Sequence, residues 1–271
     1  MLVAFDFLPR YAVCTPERVE VGPHAVPALL VRPDAPGPHP GALIQHGYGA
    51  EKTDLLPLGV FLAAYGFVSL LPDGWAHGER LPATGPTWKT EQSSDYFLTV
   101  IRHTLDDLRD ALGVLADRPE VDADRMLAGG FSMGAMLALI LGTEDERVAA
   151  VGALAGSPLP DLLGNSLFGG TTPCAELRDW AREHDAAAHV TSLAPKPLLI
   201  SHGRADDMVP VAGALRLYEA ATPAYAEHPD RLALRLYAHT HTVTQEQVED
   251  AVSWIAPLLL SDDEASDSLA G

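Results

Sequence analysis

Gly130-Phe131-Ser132-Met133-Gly134 sets a hydroxyl between two glycines. In front of it, Arg125-Met126-Leu127-Ala128-Gly129 reads as a short buried strand; behind it, Ala135-Met136-Leu137-Ala138-Leu139-Ile140-Leu141 reads as a buried helix. A Gly-x-Ser-x-Gly between strand and helix is the pattern of a nucleophile elbow, a turn so sharp that backbone passes where a Cβ would otherwise lie. Ser132 is then projected at the carboxyl end of a sheet strand, above the first turn of the next helix. That helix end offers unsatisfied N–H groups and partial positive charge, where an oxyanion would form during attack on a carbonyl.

A serine hydroxyl is a poor nucleophile until a base takes its proton, and the usual base is a histidine oriented by a carboxylate. Around an elbow these groups follow in the order Ser, acid, His. Ser132, then Asp206 or Asp207, then His239 or His241 satisfy that order, each just after its own predicted strand. Asp207 also reads as a solvated loop charge, and Asp161 is a third candidate acid. His239-x-His241 could be half a metal site, but no second cluster has ligand spacing, so neither metal nor cofactor is expected. His46, His77 and Asp73 read as braces of their loops and His202 as structural. Trp75, Trp88, Phe168 and Trp180 are candidates for a substrate pocket, although buried aromatics are more often plain core.

These side chains need a scaffold. Short β-like runs occur at Glu17–Val21, Val26–Val31, Gly41–Gln45, Phe67–Leu71, Arg125–Gly129, Val148–Ala155, Pro197–Gly203 and Leu232–Tyr237. The first two, split by Gly22-Pro23-His24, suggest an antiparallel entry pair. Helical stretches alternate with the others. One runs from about residue 54 to Tyr65 and stops at Gly66; Ile101, Leu105, Leu108, Leu112 and Leu115 form the stripe of another, after an irregular stretch over 81–96. A third follows Pro210 to about Ala221. The last starts at Thr244, with Gln247 placed for a capping box. Strands alternating with helices predict an α/β fold, a mostly parallel sheet of about eight strands covered on both faces, with active groups at the carboxyl ends of the strands. Residues 157–195 are irregular and partly helical, and read as a small lid insertion over the site within a catalytic domain spanning 1–261. The acidic stretch 262–271 reads as a disordered tail.

With 271 residues, 47% of them hydrophobic, the chain has enough material for one large domain. A formal charge of −19 disfavours nucleic acid and anionic membrane as partners. The uncharged run Leu55–Leu71 is broken by Pro57, Gly59 and Gly66, whereas a membrane span needs roughly 20 apolar residues in one element. Cys14 and Cys174 form no framework, and the N-terminus lacks the basic region of a signal peptide. A reduced, cytoplasmic setting is therefore expected.

Taken together, the chain resembles an α/β-hydrolase of the dienelactone-hydrolase and prolyl-oligopeptidase-like branch, among its small bacterial serine esterases. The resemblance covers nearly the whole chain. It rests on His46-Gly47-Tyr48-Gly49, on Pro72-Asp73-Gly74-Trp75-Ala76-His77-Gly78, on the elbow, on His202-Gly203-Arg204-Ala205-Asp206-Asp207-Met208-Val209-Pro210, and on His241 ahead of Trp254. It implies Asp206 as the acid, His241 as the base, and backbone amides of Met133 and Tyr48 as the oxyanion hole. Dienelactone hydrolases proper carry cysteine where Ser132 stands, which favours ordinary esters over dienelactone. The implied partner is a small-molecule ester, and a homodimer is compatible with the sequence. Competing readings are a peptidase or amidase of the same branch, disfavoured because no propeller-sized segment precedes the domain, and a binding protein that has lost catalysis on this fold.

Overall fold

A computed structural model describes residues 16–163 and 170–260. The expectations placed on Phe168 and on the tail lie outside the described residues, as do the N-terminus and Cys14. Eight strands form a single sheet: β1 (Glu17–Val21), β2 (Val26–Val31), β3 (His39–Gln45), β4 (Val68–Pro72), β5 (Val121–Phe131), β6 (Val148–Leu154), β7 (Leu198–Gly203) and β8 (Leu232–Tyr237). Their order across the sheet is β1-β2-β4-β3-β5-β6-β7-β8. The entry pair is antiparallel, as is β2 with β4, and every later pairing is parallel. The central strands are uncharged over most of their length because both faces are covered.

The helices are α1 (Leu56–Ala64), α2 (Ser94–Ala116), α3 (Met133–Glu144), α4 (Ala175–Glu183), α5 (Val190–Leu193), α6 (Val211–Ala221) and α7 (Gln245–Ile255). Alternate strand residues divide the core in two. Leu43, Leu70, Met126, Ala128, Val151 and Ile200 meet α2, α3 and α6 on one face. Ala42, Ile44, Leu71, Leu127 and Leu199 meet α1 and α7 on the other. No helix among the described residues is long and apolar enough to cross a membrane.

Some local expectations are corrected. α2 begins at Ser94, inside the stretch expected to be irregular, because the Ser93 hydroxyl caps it by accepting the Tyr96 N–H at 3.2 Å. β5 starts at Val121, and its register against β3 shifts at Pro40/Gly41. At α7 only half of the capping box forms. Thr244 accepts the Gln247 N–H at 3.2 Å, but the Gln247 side chain turns inward and donates to Ser201 Oγ at 2.8 Å. Described residues of 157–195 hydrogen-bond to neighbouring helices. Cys174 N–H donates to Asp95 on α2 at 2.7 Å, and Arg216 on α6 bridges Asp161 at 2.9 Å and Asp185 at 3.0 Å.

The tightest backbone approach in the sheet lies at the end of β3. A Cβ on Gly134 would overlap the Gln45 carbonyl, and one on Gly130 would meet both that carbonyl and Gly134. Gly152, on β6, has only ordinary contacts at 3.9 and 4.0 Å around the same position. Gly134→Ala is therefore expected to lose about 3 kcal/mol of unfolding free energy or more, and Gly152→Ala to stay within about 1 kcal/mol of wild type. Guanidinium melts of the two variants check the contrast; equal midpoints would remove the contact from the account.

Candidate active site

Ser132 stands between β5 and α3 with φ +55° and ψ −114°, a conformation that side-chain-bearing residues seldom adopt. Its N–H donates to Leu154 O at 2.8 Å and its carbonyl accepts the Met136 N–H at 3.1 Å, so the strained turn is anchored on both sides. Met133 opens α3, and its N–H is among those that helix geometry leaves without an intrahelical acceptor.

His241, in the loop between β8 and α7, brings Nε2 to 2.9 Å from Ser132 Oγ and Nδ1 to 2.7 Å from Asp206 Oδ2. All three residues are buried. An ionised Asp206 can only accept, so Nδ1 carries the proton and Nε2 is left to accept from the serine hydroxyl. The second oxygen of Asp206 accepts the amides of Met208 at 3.0 Å and Val209 at 2.8 Å. His202 Nε2–H points at Val209 O (2.8 Å) and lies 3.3 Å from Asp206 Oδ2. Burial by itself would push the Asp206 carboxyl up. The donors from His202, His241 and the Val209 amide outweigh it and hold the group well below the usual carboxylate range. Asp207 is exposed, Asp161 is occupied by Arg216, and His239 stacks on Tyr237 with ring centroids 5.6 Å apart.

The loop after β3 lies against the elbow: a Cβ on Gly47 would come to 3.4 Å from Ser132 Cβ. Two buried histidines hold this loop. His46 Nδ1–H donates to Gly47 O at 2.8 Å and its Nε2 accepts the Gly74 N–H at 2.9 Å. The Gly47 carbonyl and the Tyr48 N–H share one trans peptide and point in opposite directions, so anchoring the carbonyl aims the amide. His77 Nδ1–H donates to Trp75 O at 2.8 Å and its Nε2 accepts the Gly49 N–H at 2.9 Å. Beneath them Asp73 takes the Lys52 ammonium at 2.6 Å, the Lys52 N–H at 2.9 Å and the Glu79 N–H at 3.0 Å.

A cavity of about 550 Å³ opens above Ser132 and His241. Tyr48, Trp88, Phe97, Phe131, Met136 and Met208 are among its lining residues. Of the expected pocket aromatics, Trp88 lines it. Trp75 does not: its ring stacks on His103 at 4.9 Å. Trp180 packs on His184 at 4.4 Å and also lies elsewhere. Among the described residues of 157–195 none lines the cavity. Leu81, Trp88, Lys89, Gln92 and Ser93, which precede α2, also line it. Phe131 and Met208, missed from sequence, flank the serine and follow the acid by two positions, and that adjacency was the available signal.

A family model described as the dienelactone hydrolase family matches residues 26–254. The esterase YjfP of Escherichia coli (strain K12) is 27% identical over 195 residues, covering 68% of this chain and 75% of that protein. The crystal structure of TT1662 from Thermus thermophilus superposes with a TM-score of 0.74 at 25% identity, over 92% of this chain and 99% of the other. Dipeptidyl peptidase 4 of Porphyromonas gingivalis gives a TM-score of 0.66 at 21% identity, over 92% of this chain but 35% of the peptidase, a likeness of fold.

Burial lowers both loop histidines to about 4, against about 6.5 for an unfolded histidine. Between those values the unfolded chain binds more protons than the folded one. The histidines' contribution is therefore complete above about pH 6.5 and is lost as pH falls toward 4. Denaturant melts across that window should show stability falling with acid. In His77→Gln the fall should be smaller by about 3 kcal/mol; an unchanged slope would mean that His77 titrates normally.

Proposed function

The chain belongs to the dienelactone hydrolase family, and on that premise we propose that it is a serine carboxylesterase acting on small to medium carboxylic esters. The observation that carries the reading is the hydrogen-bonded chain Ser132–His241–Asp206 in the floor of an open, largely apolar cavity. His241 takes the Ser132 proton as Oγ attacks the ester carbonyl. The amides of Met133 and Tyr48 receive the oxyanion. His241 then passes the proton to the leaving alcohol, and water repeats the cycle on the acyl-enzyme to release the acid. Asp206 keeps the imidazole in the tautomer this requires and balances its transient charge. The name of the Escherichia coli relative, an esterase, supports the same reading. So does serine at the position where a cysteine would suit dienelactone.

The cavity volume falls within the ~300–1,000 Å³ common for small-molecule sites, so an acyl group and an alcohol of modest size fit together. An amidase is the second reading, favoured by the fold shared with a peptidase. Matched ester and anilide substrates separate the two.

The decisive measurement is hydrolysis of p-nitrophenyl butyrate. Ser132→Ala should lower kcat by about 10⁴–10⁶ and abolish labelling by a fluorophosphonate probe. A mutant that keeps its rate or still takes the label would overturn the assignment.

A further inference from the structure

His77 is fully buried, belongs to none of the groups that would react, and still reaches both the loop beside the serine and the cavity wall. The turn that carries it has positive φ on either side, +57° at Ala76 and +52° at Gly78, which directs the imidazole inward from the end of β4. Because Nδ1–H is committed to Trp75 O, Nε2 must present a lone pair, and the Gly49 N–H fills it at 2.9 Å. The Tyr48 ring meets the imidazole edge-on at 5.2 Å. The Trp88 ring lies nearly parallel to it, 9° off at 6.4 Å, and rests on Gly49, where a Cβ would come to 3.3 Å from Trp88 Cε3.

We propose that His77 is a positioning residue for ester hydrolysis, acting through the Tyr48–Gly49 peptide and through Trp88. The proposal rests on the reading of Tyr48 N–H as an oxyanion donor. His46 fixes the peptide before Tyr48, and His77 fixes the one after it. With both planes held, the Tyr48 amide has no freedom to swing away from the developing charge. A donor displaced by about 1 Å costs on the order of 10²-fold in rate. The second contact acts on binding instead: the imidazole backs Trp88, so the indole keeps its place in the wall before substrate arrives. Burial keeps His77 neutral, and hence an acceptor, at ordinary pH.

Two substitutions divide these duties. The terminal amide of glutamine reaches the position of Nε2 and can accept the Gly49 N–H, but it offers no ring to Trp88. Asparagine reaches only the position of Nδ1, so it keeps the donor to Trp75 and loses the acceptor. Rates on p-nitrophenyl butyrate are taken per active site titrated with fluorophosphonate, which removes misfolded protein from the comparison. His77→Asn should lower kcat about 10²-fold. His77→Gln should keep kcat within about tenfold of wild type and raise KM several-fold. Equal kcat in both variants, whether near wild type or equally depressed, would overturn the proposal. If the asparagine variant does not fold, the glutamine variant decides alone: a kcat loss of about 10²-fold despite its acceptor, or an unchanged KM, counts against. Labelling of wild-type Ser132 and its loss in Ser132→Ala test the underlying reading separately, whatever position 77 does.

Discussion

The site depends on one backbone contact, the seating of the Gln45 carbonyl against Gly130 and Gly134. β3 and β5 are parallel neighbours, with Gln45 opposite Gly130 in register. Only glycine lets the end of one strand lie this close to the turn leaving the other. The turn must therefore be abrupt, and Ser132 takes the positive φ that follows. Strain of this kind costs on the order of 1–3 kcal/mol. It is offset by the anchors on Leu154 and Met136 and by α3, whose first ten residues are all buried. Because β3 runs directly into His46-Gly47-Tyr48-Gly49, the same contact also sets how far that loop stands from the serine.

The loops after β3 and β4 are fixed by buried polar groups as well as by apolar packing of Tyr48, Trp75 and Ala76. His46, His77 and Asp73 each satisfy main-chain groups from a second loop, so the segments 46–52 and 73–79 are hydrogen-bonded into one unit. The buried Lys52–Asp73 pair is weak evidence for stability in itself, since removing two charges from water offsets most of their attraction. Its value here is geometric: one carboxylate ties Lys52, at the end of the loop after β3, to the turn after β4. Asp206 follows the same logic. Its donors overcome the cost of burial, so it stays charged across the range in which an imidazole changes state.

Much of this arrangement was legible in the amino-acid order, because the signals were local. Uncharged runs mark strands covered on two faces, the Ile101–Leu115 stripe marks α2, and the glycines flanking Ser132 mark the elbow. The hydrogen-bonded contacts of Ser132, His241 and Asp206 lie at the ends of predicted strands for the same reason. What was not legible depended on the direction of a loop. Composition distinguishes Trp88 from Trp75 and Trp180 in no way, yet only Trp88 rests on Gly49 and faces the cavity. Gln247 has the spacing of a capping box, but a buried serine hydroxyl on β7 competes for its side chain, and the tertiary contact wins.

The part of the cavity wall contributed by residues of 81–97 has a mechanical consequence. Its inner end is locked, since Phe97 belongs to α2 and Trp88 is seated on Gly49 and His77. The outer segment, Leu81 to Pro86, of which Leu81 lines the cavity, is exposed and has few partners among the described residues. Adaptation to different alcohols or acyl groups is then cheapest in the outer part, where few contacts must be broken. Change at Trp88 would propagate through His77 to the Tyr48–Gly49 peptide. The cavity wall at Trp88 and the amide proposed to hold the oxyanion are mechanically linked. In such a site, selectivity for the bound group and rate of the chemical step cannot be tuned independently near Trp88, whereas they can at Leu81.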